Sequence, residues 1–408
     1  MPRLPSLIGF PSLPGCGKVQ PLYSRSAVAS RGWPVSRRPR GRELNLNFTG
    51  VDHLELYVGK LEEEAEVYCA GFGFRVTGRA GPETGQQGRV SLLLKLGRIR
   101  LILTQPLVAT DEAADYVAVH GDGVKDVAFR TEDAAAAFHE AVRRGATPVH
   151  EPRVYEGPHG RLVRATVASP VGDLVHSFIE RASPEGDFWP GRFQPVVAPA
   201  SERDLLAALD HLALCLIPGT LQETVDAYGR LFGLQQSHEE NVATQYGGMN
   251  SKVVQDASGG GVCFALMEPM LGKRPGQIDH FLSSHRGAGV QHMAFLTEDI
   301  LEAVRVLRER QMPLLDSPSG YYEALPARVG TLAEDLEQLR ENHVLVDREG
   351  NAGYLLQVFT RSVHPRRTLF FEVIQRKSAR GFGTANIRAL YQSVEQEMMR
   401  KERKANVG

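Results

Sequence analysis

The sequence repeats itself, and this repeat decides the fold. Residues 51–58 read VDHLELYV and residues 209–216 read LDHLALCL. Each octapeptide is followed by a helical pattern that ends in an aromatic–glycine step, at Phe72-Gly73 and at Phe232-Gly233. Recurrence of a whole strand-and-helix pattern indicates a duplicated structural unit rather than a chance match.

A second pair of matching segments extends the repeat. Residues 120–129 read HGDGVKDVAF and residues 286–295 read RGAGVQHMAF, and Thr-Glu-Asp follows each run one residue later. The halves therefore span about 46–182 and 205–376, each with two strand–helix–strands units. The stretch 183–204 contains four prolines and is typical of a linker.

Local signals within each half favour mixed helices and strands. Asp133 and Asp299 precede helical patterns and are expected to cap them, and Thr220 with Glu223 has the spacing of a capping box. Short β-rich runs occur at 90–94, 99–104, 262–267, 354–359 and 369–374. We predict an α+β protein with two tandem domains, each built from paired βαβββ units that form an open barrel.

Composition excludes several classes of function. The 408 residues are 42% hydrophobic and 23% charged, as in ordinary soluble globular proteins. A net charge of −1 gives no electrostatic footprint for nucleic acid, and no apolar run is long enough to span a bilayer. The four cysteines form no Cys-x-x-Cys pair, which suits a reducing compartment. We therefore expect a cytoplasmic protein.

The first 45 residues differ from the rest of the chain. Residues 1–42 contain no acidic residue and many prolines, so we expect a disordered extension. An Arg- and Ser-rich, acid-poor start also resembles an organelle transit peptide, although prolines oppose the amphipathic helix that such peptides form. Mitochondrial import is expected only if this segment is a genuine transit peptide.

Three side chains in the second half form a candidate metal site. Strand alternation places His211 on a face with small residues, and His292 and Glu372 lie in later strands at intervals of 292 − 211 = 81 and 372 − 292 = 80 residues. Equivalent strands of duplicated units would each deliver one ligand. Two imidazoles and one carboxylate are the facial triad of non-haem Fe(II) oxygenases.

The first half lacks this set. Its equivalent positions carry His53, Asp126 and Ser177. We therefore predict that residues 46–182 form a degenerate structural domain and that residues 205–376 form the catalytic domain.

Residues 45–399 resemble the 4-hydroxyphenylpyruvate dioxygenase/4-hydroxymandelate synthase family of the vicinal-oxygen-chelate superfamily. The matching motifs are GAGVQH at 287–292, Tyr321-Tyr322, LVD at 345–347, LLQVFT at 355–360, FFEVIQR at 370–376 and GFG at 381–383 followed by Asn386. The resemblance implies that His211, His292 and Glu372 bind one Fe(II) per chain. It also implies that residues 377–408 include a C-terminal lid helix over the site.

Family chemistry implies the substrates. The 2-oxo acid of 4-hydroxyphenylpyruvate would chelate Fe(II) through two oxygens, leaving one position for O2, and CO2 would be released. Because the substrate is its own reductant, no 2-oxoglutarate, flavin or nicotinamide is expected. Neither nucleic acid nor membrane is an expected partner, and the oligomeric state is open, with a homodimer as one candidate.

The resemblance implies two alternative products. Dioxygenases typically show Pro-x-Asn-Glu-Pro where this chain has Ala265-Leu266-Met267-Glu268-Pro269, and Asn-Phe where it has Asn386-Ile387. Both departures resemble the synthase branch, which hydroxylates the benzylic carbon to give 4-hydroxymandelate for natural-product (antibiotic) synthesis. The alternative is ring attack to give homogentisate in tyrosine breakdown.

The family also implies a set of pocket residues. These are Ser251, Ala265, Met267, Gln277, Gln357, Phe359, Phe382, Asn386 and Ile387. Two other classes of function stay open: a non-catalytic small-molecule-binding or resistance protein, and an isomerase or lyase that uses another divalent metal.

Overall fold

A computed structural model describes residues 46–386, apart from 184–185, 198–203, 244–247, 258–260, 274, 318, 349–352 and 384. The expected disordered extension at 1–45, Ile387 and all of the expected lid helix beyond Asn386 lie outside the described residues. Within the described part, no helix combines the length and apolar character needed to cross a membrane.

The first half contributes strands to one curled sheet. They are β1 (Phe48–Tyr57), β2 (Arg75–Ala80), β3 (Arg89–Leu96), β4 (Ile99–Pro106), β5 (Gly123–Thr131), β6 (Pro148–Gly157), β7 (Gly160–Ala168), β8 (Val175–Arg181) and β9 (Gln194–Pro195). The second half contributes strands to another sheet. They are β10 (Ala208–Cys215), β11 (Gln235–Ala243), β12 (Gly248–Gln255), β13 (Cys263–Pro269), β14 (Gly289–Leu296), β15 (Leu345–Arg348), β16 (Tyr354–Phe359) and β17 (Phe370–Lys377).

Helices connect these strands. They are α1 (Leu61–Glu66), α2 (Glu112–His120), α3 (Ala134–Arg143), α4 (Leu221–Phe232), α5 (Gln277–His285), α6 (Ile300–Glu309), α7 (Ser319–Glu323), α8 (Leu325–Val329) and α9 (Leu336–Glu341). A π-helical turn, Val67–Phe72, continues α1.

The two sheets have the same topology, as the sequence repeat predicts. The strand order is β9-β2-β3-β4-β1-β5-β8-β7-β6 in the first and β11-β12-β13-β10-β14-β17-β16-β15 in the second. In each sheet the two units meet at one antiparallel pair, β1 with β5 and β10 with β14. The extra strand β9 comes from the 183–204 segment and pairs with β2. The predicted α+β fold of two tandem barrel-like domains is confirmed.

The helices of both halves share one apolar core. Tyr68 and Phe72, which follow α1 of the first half, pack edge-on against Phe371 of the second sheet at ring distances of 5.5 and 4.8 Å. Phe232 of α4 contacts Phe129 of the first sheet at 6.0 Å. Each half therefore buries part of its apolar surface against the other half.

Two of the three predicted helix caps are confirmed. Asp133 and Asp299 accept hydrogen bonds from backbone N–H groups in the first turns of α3 and α6. The capping box at Thr220 is wrong, because its hydroxyl donates to the Ile217 carbonyl at 2.8 Å. The carboxylate of Glu268 from β13 accepts from the Leu221 N–H instead, at 3.1 Å. A tertiary contact has replaced the local cap.

Candidate metal centre

Three adjacent strands bring the predicted ligands together. β14 lies between β10 and β17, antiparallel to the first and parallel to the second. The register places His211 opposite Ala294, and Ala294 opposite Glu372, while His292 lies opposite Ala213. Because alternate residues of a strand share a face, all three ligand side chains leave the same side of the sheet.

The donor atoms of these residues form a tight buried cluster. The Nε2 atoms of His211 and His292 each lie 3.4 Å from Oε2 of Glu372. The two imidazole rings are 5.8 Å apart between centroids, at an angle of 78°. All three residues are less than 10% exposed. Metal–ligand bonds of about 2.0–2.2 Å place neighbouring ligand atoms about 3–3.5 Å apart, so these spacings suit one shared cation.

One atom of the cluster supports a bound cation. Oε1 of Glu372 is buried and has no hydrogen-bond partner among the described residues. Leaving a carboxylate oxygen buried and unpartnered is costly unless a cation compensates it. With two imidazoles and one carboxylate, the donor set fits Fe(II) and leaves other coordination positions for small ligands.

A buried ion pair orients His211. Nδ1 of His211 lies 2.9 Å from Oδ1 of Asp210, and Arg376 donates two hydrogen bonds of 2.7 Å to the Asp210 carboxylate. Burial opposes ionisation of Asp210, but the hydrogen bonds from Arg376 and His211 hold its pKa well below the ordinary value. The resulting carboxylate fixes the ring so that Nε2 faces the cluster.

Without a cation, the pKa values of the two imidazoles shift in opposite directions. Burial opposes protonation of His211, yet the charge of Glu372 and the hydrogen bond with Asp210 raise its pKa to about 9. Burial lowers the pKa of His292. Burial also opposes ionisation of Glu372, but the imidazoles lower its pKa to about 2. A metal that binds through His211 therefore displaces a proton.

Most of the predicted pocket residues line a cavity of about 320 Å³ whose lining includes the three residues of the cluster. Those in the lining are His211, His292, Glu372, Ser251, Ala265, Met267, Gln357, Phe359 and Phe382. Gln277 is not among them, because it begins α5 and its side chain is exposed. Ile387 lies outside the described residues. Ser251 is the cross-strand partner of Met267, so these two side chains share one wall.

Asn386 lies behind the wall rather than in it. Its amide nitrogen donates to Oε1 of Gln357 at 3.0 Å, and its Oδ1 accepts from the Tyr321 hydroxyl at 2.5 Å. Gly383 lets the chain pass close to Gln357: its φ is +81°, and an added Cβ would lie 1.9 Å from Gln357 Oε1. The C-terminal segment thus fixes the orientation of Gln357.

Aromatic rings border both imidazoles. The Phe382 ring meets His211 edge-on at 5.2 Å, and Phe359 meets His292 edge-on at 6.0 Å. Phe370 stacks on His292 at 4.8 Å. These apolar faces can hold an aromatic ligand beside the cluster and exclude water.

Sequence reasoning missed part of the lining. His238, on β11, has its ring 5.5 Å from Phe382, and Arg348 of β15 also reaches the cavity. β11 reads QQSHEENVA and has no apolar alternation that would mark an inward face. In the structure β11 pairs with β12, which carries Ser251, and this tertiary pairing brings β11 to the cavity.

The equivalent position in the first half is filled by its own side chains. His53 lies 2.8 Å from Asp52, as His211 lies beside Asp210. Asp126 accepts hydrogen bonds from the Ser177 hydroxyl at 2.5 Å and from Arg164 at 3.1 Å. Asp126 and Ser177 therefore form a hydrogen-bonded network with the guanidinium group of Arg164, and His53 is held separately by Asp52.

Comparisons with known proteins agree with this architecture. Models of the glyoxalase/bleomycin resistance protein/dioxygenase superfamily match residues 52–163 and 208–325, one in each half. The chain is 34% identical over 360 residues to 4-hydroxyphenylpyruvate dioxygenase of Dictyostelium discoideum, covering 85% of this chain and 98% of that protein. It is 35% identical over 393 residues to a probable 4-hydroxyphenylpyruvate dioxygenase 2 of Aspergillus fumigatus, covering 88% and 96%.

A solved structure is similar over the same span. A mutant of 4-hydroxymandelate synthase from Streptomyces coelicolor superimposes with a TM-score of 0.78 at 38% identity, covering 86% of this chain and 99% of that one. Both the curated relatives and this structure are matched over nearly their whole length. The chain belongs to the 4-hydroxyphenylpyruvate dioxygenase/4-hydroxymandelate synthase family of non-haem iron dioxygenases, within the vicinal-oxygen-chelate superfamily.

Proposed function

We propose that the chain is an Fe(II)-dependent oxygenase that converts 4-hydroxyphenylpyruvate and O2 into 4-hydroxymandelate and CO2. The observation that carries this proposal is the convergence of His211, His292 and Glu372 in the lining of a cavity whose wall also contains Ala265 and Met267. Fe(II) held by these three side chains would supply the electrons and open positions needed to activate O2 beside a chelating 2-oxo acid.

The residues around the ligands would position the substrate. Phe359 and Phe382 offer apolar faces to the aromatic ring, one beside each imidazole. The Gln357 side chain, held by Asn386, offers an amide to a polar end of the substrate. Positioning by such fixed groups decides which carbon meets the activated oxygen, since a displacement below 1 Å changes the outcome.

Two wall residues favour benzylic hydroxylation over ring attack. Ala265 and Met267 are less than 10% exposed and face the cavity from the same strand, β13. Neither side chain can donate a hydrogen bond to a phenol or carboxylate, and Ala265 leaves more room than the ring of a proline. A substrate ring that is not held by a polar amide can move away from the metal, which leaves the benzylic carbon nearest to it.

The second candidate is 4-hydroxyphenylpyruvate dioxygenase itself, with homogentisate as the product. The names of the curated relatives, including those from D. discoideum and A. fumigatus, favour this activity. The site chemistry is shared by both candidates, so only the product separates them.

The decisive experiment is identification of the product. The purified chain, loaded anaerobically with Fe(II), is mixed with 4-hydroxyphenylpyruvate and air, and the product is separated by chromatography and identified by NMR. We expect 4-hydroxymandelate with equimolar CO2 release and O2 uptake. Homogentisate would establish the second candidate, and no O2 uptake would favour a binding protein, an isomerase or a lyase.

A variant tests the role of the wall. Met267→Asn restores an amide at a cavity-facing position and should raise the fraction of homogentisate. Met267→Leu keeps the apolar character and should leave the product ratio unchanged. An equal product ratio in both variants would show that Met267 does not determine the product.

A further inference from the structure

A second group of metal-binding side chain types lies where the two halves meet. Glu64 of α1, Asp122 between α2 and β5, and His364 between β16 and β17 place donor atoms within 4.8 Å of one another. None of these residues lines the cavity described above. Two belong to the first half and one to the second.

The ring of His364 lies between the two carboxylates of this group, at distances longer than a hydrogen bond. The residue is 4% exposed, and neither nitrogen has a hydrogen-bond partner among the described residues. Its Nε2 lies 3.6 Å from Oε1 of Glu64, and its Nδ1 lies 3.9 Å from Oδ2 of Asp122. Oε1 of Glu64 is likewise buried and unpartnered within the described part of the chain. Such orphaned groups are costly unless something binds between them.

The spacing resembles the first metal cluster rather than a hydrogen bond. Where a buried histidine is hydrogen-bonded to a carboxylate in this protein, a ring nitrogen lies 2.8–2.9 Å from the carboxylate oxygen, as in His53–Asp52 and His211–Asp210. The imidazoles of the candidate iron site stand 3.4 Å from Glu372. Nε2 of His364 lies 3.6 Å from Oε1 of Glu64. This distance is close to the separation of two ligand atoms on one cation and too long for a charge-assisted hydrogen bond.

Charge balance also favours a divalent cation. Two other buried carboxylates of the first half face arginine: Asp52 faces Arg181 and Asp126 faces Arg164. In the described residues, the ion-pair partner of Glu64 and of Asp122 is the His364 ring, and no lysine or arginine takes that place. With His364 as a neutral ligand, the two carboxylates carry a charge of −2, which one divalent ion neutralises.

The carboxylate of Asp122 is already oriented for this role. Its Oδ1 accepts a hydrogen bond of 2.7 Å from the Gly59 N–H, which leaves Oδ2 directed at His364. Arg366, two residues after His364, donates to the carbonyl oxygens of Val119 and Ala118 at the end of α2. The His364 turn is thus held against the first half on both sides of the group.

We propose that Glu64, Asp122 and His364 form a second metal site, which takes a divalent transition metal such as Zn²⁺. One imidazole and two carboxylates suit this class of ion, with water in the remaining position. The bound ion ties the turn that precedes β17, the strand carrying Glu372, to the first half of the chain. Its role is structural, because it joins two halves without opening onto the cavity.

The test counts Zn²⁺ equivalents on the full, metal-free chain by isothermal titration calorimetry. The wild-type chain should bind two equivalents, and Glu64→Gln should bind one because it loses a ligand charge at the second site. The matched control is Glu63→Gln, since Glu63 is the exposed neighbour that pairs with Lys60; it should still bind two. A single wild-type equivalent, or two equivalents in Glu64→Gln, would overturn the proposal.

A second measurement covers the case in which Glu64→Gln fails to fold. Glu372→Gln weakens the first site, and X-ray absorption of this variant with one Zn²⁺ equivalent reports the remaining ligands. We expect one imidazole with oxygen ligands, and a rise in melting temperature on adding Zn²⁺. Two imidazoles around the zinc would place it at His211 and His292 and would contradict a second site.

Discussion

The two halves of the chain have the same scaffold and differ in what occupies it. In each half the first strand contains an Asp-His pair, and an arginine at or near the end of a later strand, β8 or β17, binds the aspartate through two hydrogen bonds. The pairs are Asp52 with Arg181, at 2.7 and 2.8 Å, and Asp210 with Arg376, both at 2.7 Å. The orientation device for the first imidazole is therefore present twice.

The interiors diverge at positions that the strand register makes equivalent. Arg164 pairs with Ile179 on β8 as Gln357 pairs with Ile374 on β17, so the guanidinium of Arg164 lies where the second half has an amide. Glu55 occupies the position of Ala213 and accepts hydrogen bonds from Thr104 and Arg192. In the first half, polar side chains of the chain itself fill the interior.

The difference shows what makes one half a metal site. Burial opposes ionisation of Glu55, but the charge of Arg192 lowers its pKa to about 2. Inside the first sheet Asp52, Glu55 and Asp126 thus have arginine partners from their own chain, whereas Oε1 of Glu372 has no such partner in the described residues. An internal arginine and a bound metal ion are alternative ways to neutralise a buried carboxylate.

The largest expected effect comes from removing the third ligand. Glu372→Ala should reduce turnover of 4-hydroxyphenylpyruvate to background, because two imidazoles alone do not hold Fe(II) in place. Ser177→Ala, at the equivalent position of the first half, should cost only about 1 kcal/mol of stability through its lost hydrogen bonds and leave turnover intact. O2 uptake and chemical denaturation measure the two effects. Normal turnover in Glu372→Ala would refute the assignment of the ligands.

A second substitution should give the second half the internal arginine that the first half has. Gln357→Arg introduces a guanidinium at the position equivalent to Arg164, and its charge should repel Fe(II) and pair with Glu372. We expect loss of iron from the purified chain, measured by metal analysis, with an unchanged circular dichroism spectrum. Gln357→Met, which adds no charge, serves as the control and should retain iron. Retention of iron by the arginine variant would contradict the view that an internal arginine replaces the metal ion.

The opposite substitution should destabilise the first half. Arg164→Met leaves Asp126 buried without its cation, since the Arg164 side chain is only 16% exposed, and should lower the free energy of unfolding by about 3–5 kcal/mol. Arg161→Met removes an ion pair of a 42% exposed side chain with Glu180 and should cost less than about 1 kcal/mol. Urea denaturation followed by circular dichroism compares the two. Equal costs would mean that Arg164 is not the counter-ion of a buried carboxylate.

The smallest effect concerns the residue that orients the first imidazole. Asp210→Asn should weaken Fe(II) binding by about 10–100-fold, because the ring of His211 loses its charged partner. Asp52→Asn makes the same change in the first half and should leave iron affinity unchanged. Competition with a chelator measures both affinities, and a loss in the Asp52 variant would show that the two halves are coupled.

The fold was predictable because two kinds of signal agree. The repeat from Leu209 to Leu216 and the aromatic–glycine helix ends fix the order of the elements, and strand alternation identifies the face that carries His211. The helix cap at Thr220 was mispredicted because Glu268, 47 residues after Leu221, accepts from the N–H of Leu221 at the helix start, while the Thr220 hydroxyl donates to the Ile217 carbonyl. Local sequence contains no information about such a long-range partner.

The metal ligands were also more accessible to prediction than the pocket. His211, His292 and Glu372 occur at regular intervals in strands otherwise fit for burial, which marks them as exceptional. Gln277 was expected at the cavity but lies exposed at the start of α5, and His238 was not expected because its edge strand has no periodic pattern. Cavity walls depend on how separate strands and the C-terminal segment meet, and this is a tertiary property.

The shared core between the halves limits how the protein can be divided. Phe371, next to Glu372 in sequence, packs against Tyr68 and Phe72 from the first half, and Phe129 packs against Phe232 from the second. An excised C-terminal half would expose this aromatic surface to water and would aggregate or lose the strand that holds the third ligand. The half without the candidate iron site therefore stabilises the half that contains it, and enzyme engineering must treat both as one folding unit.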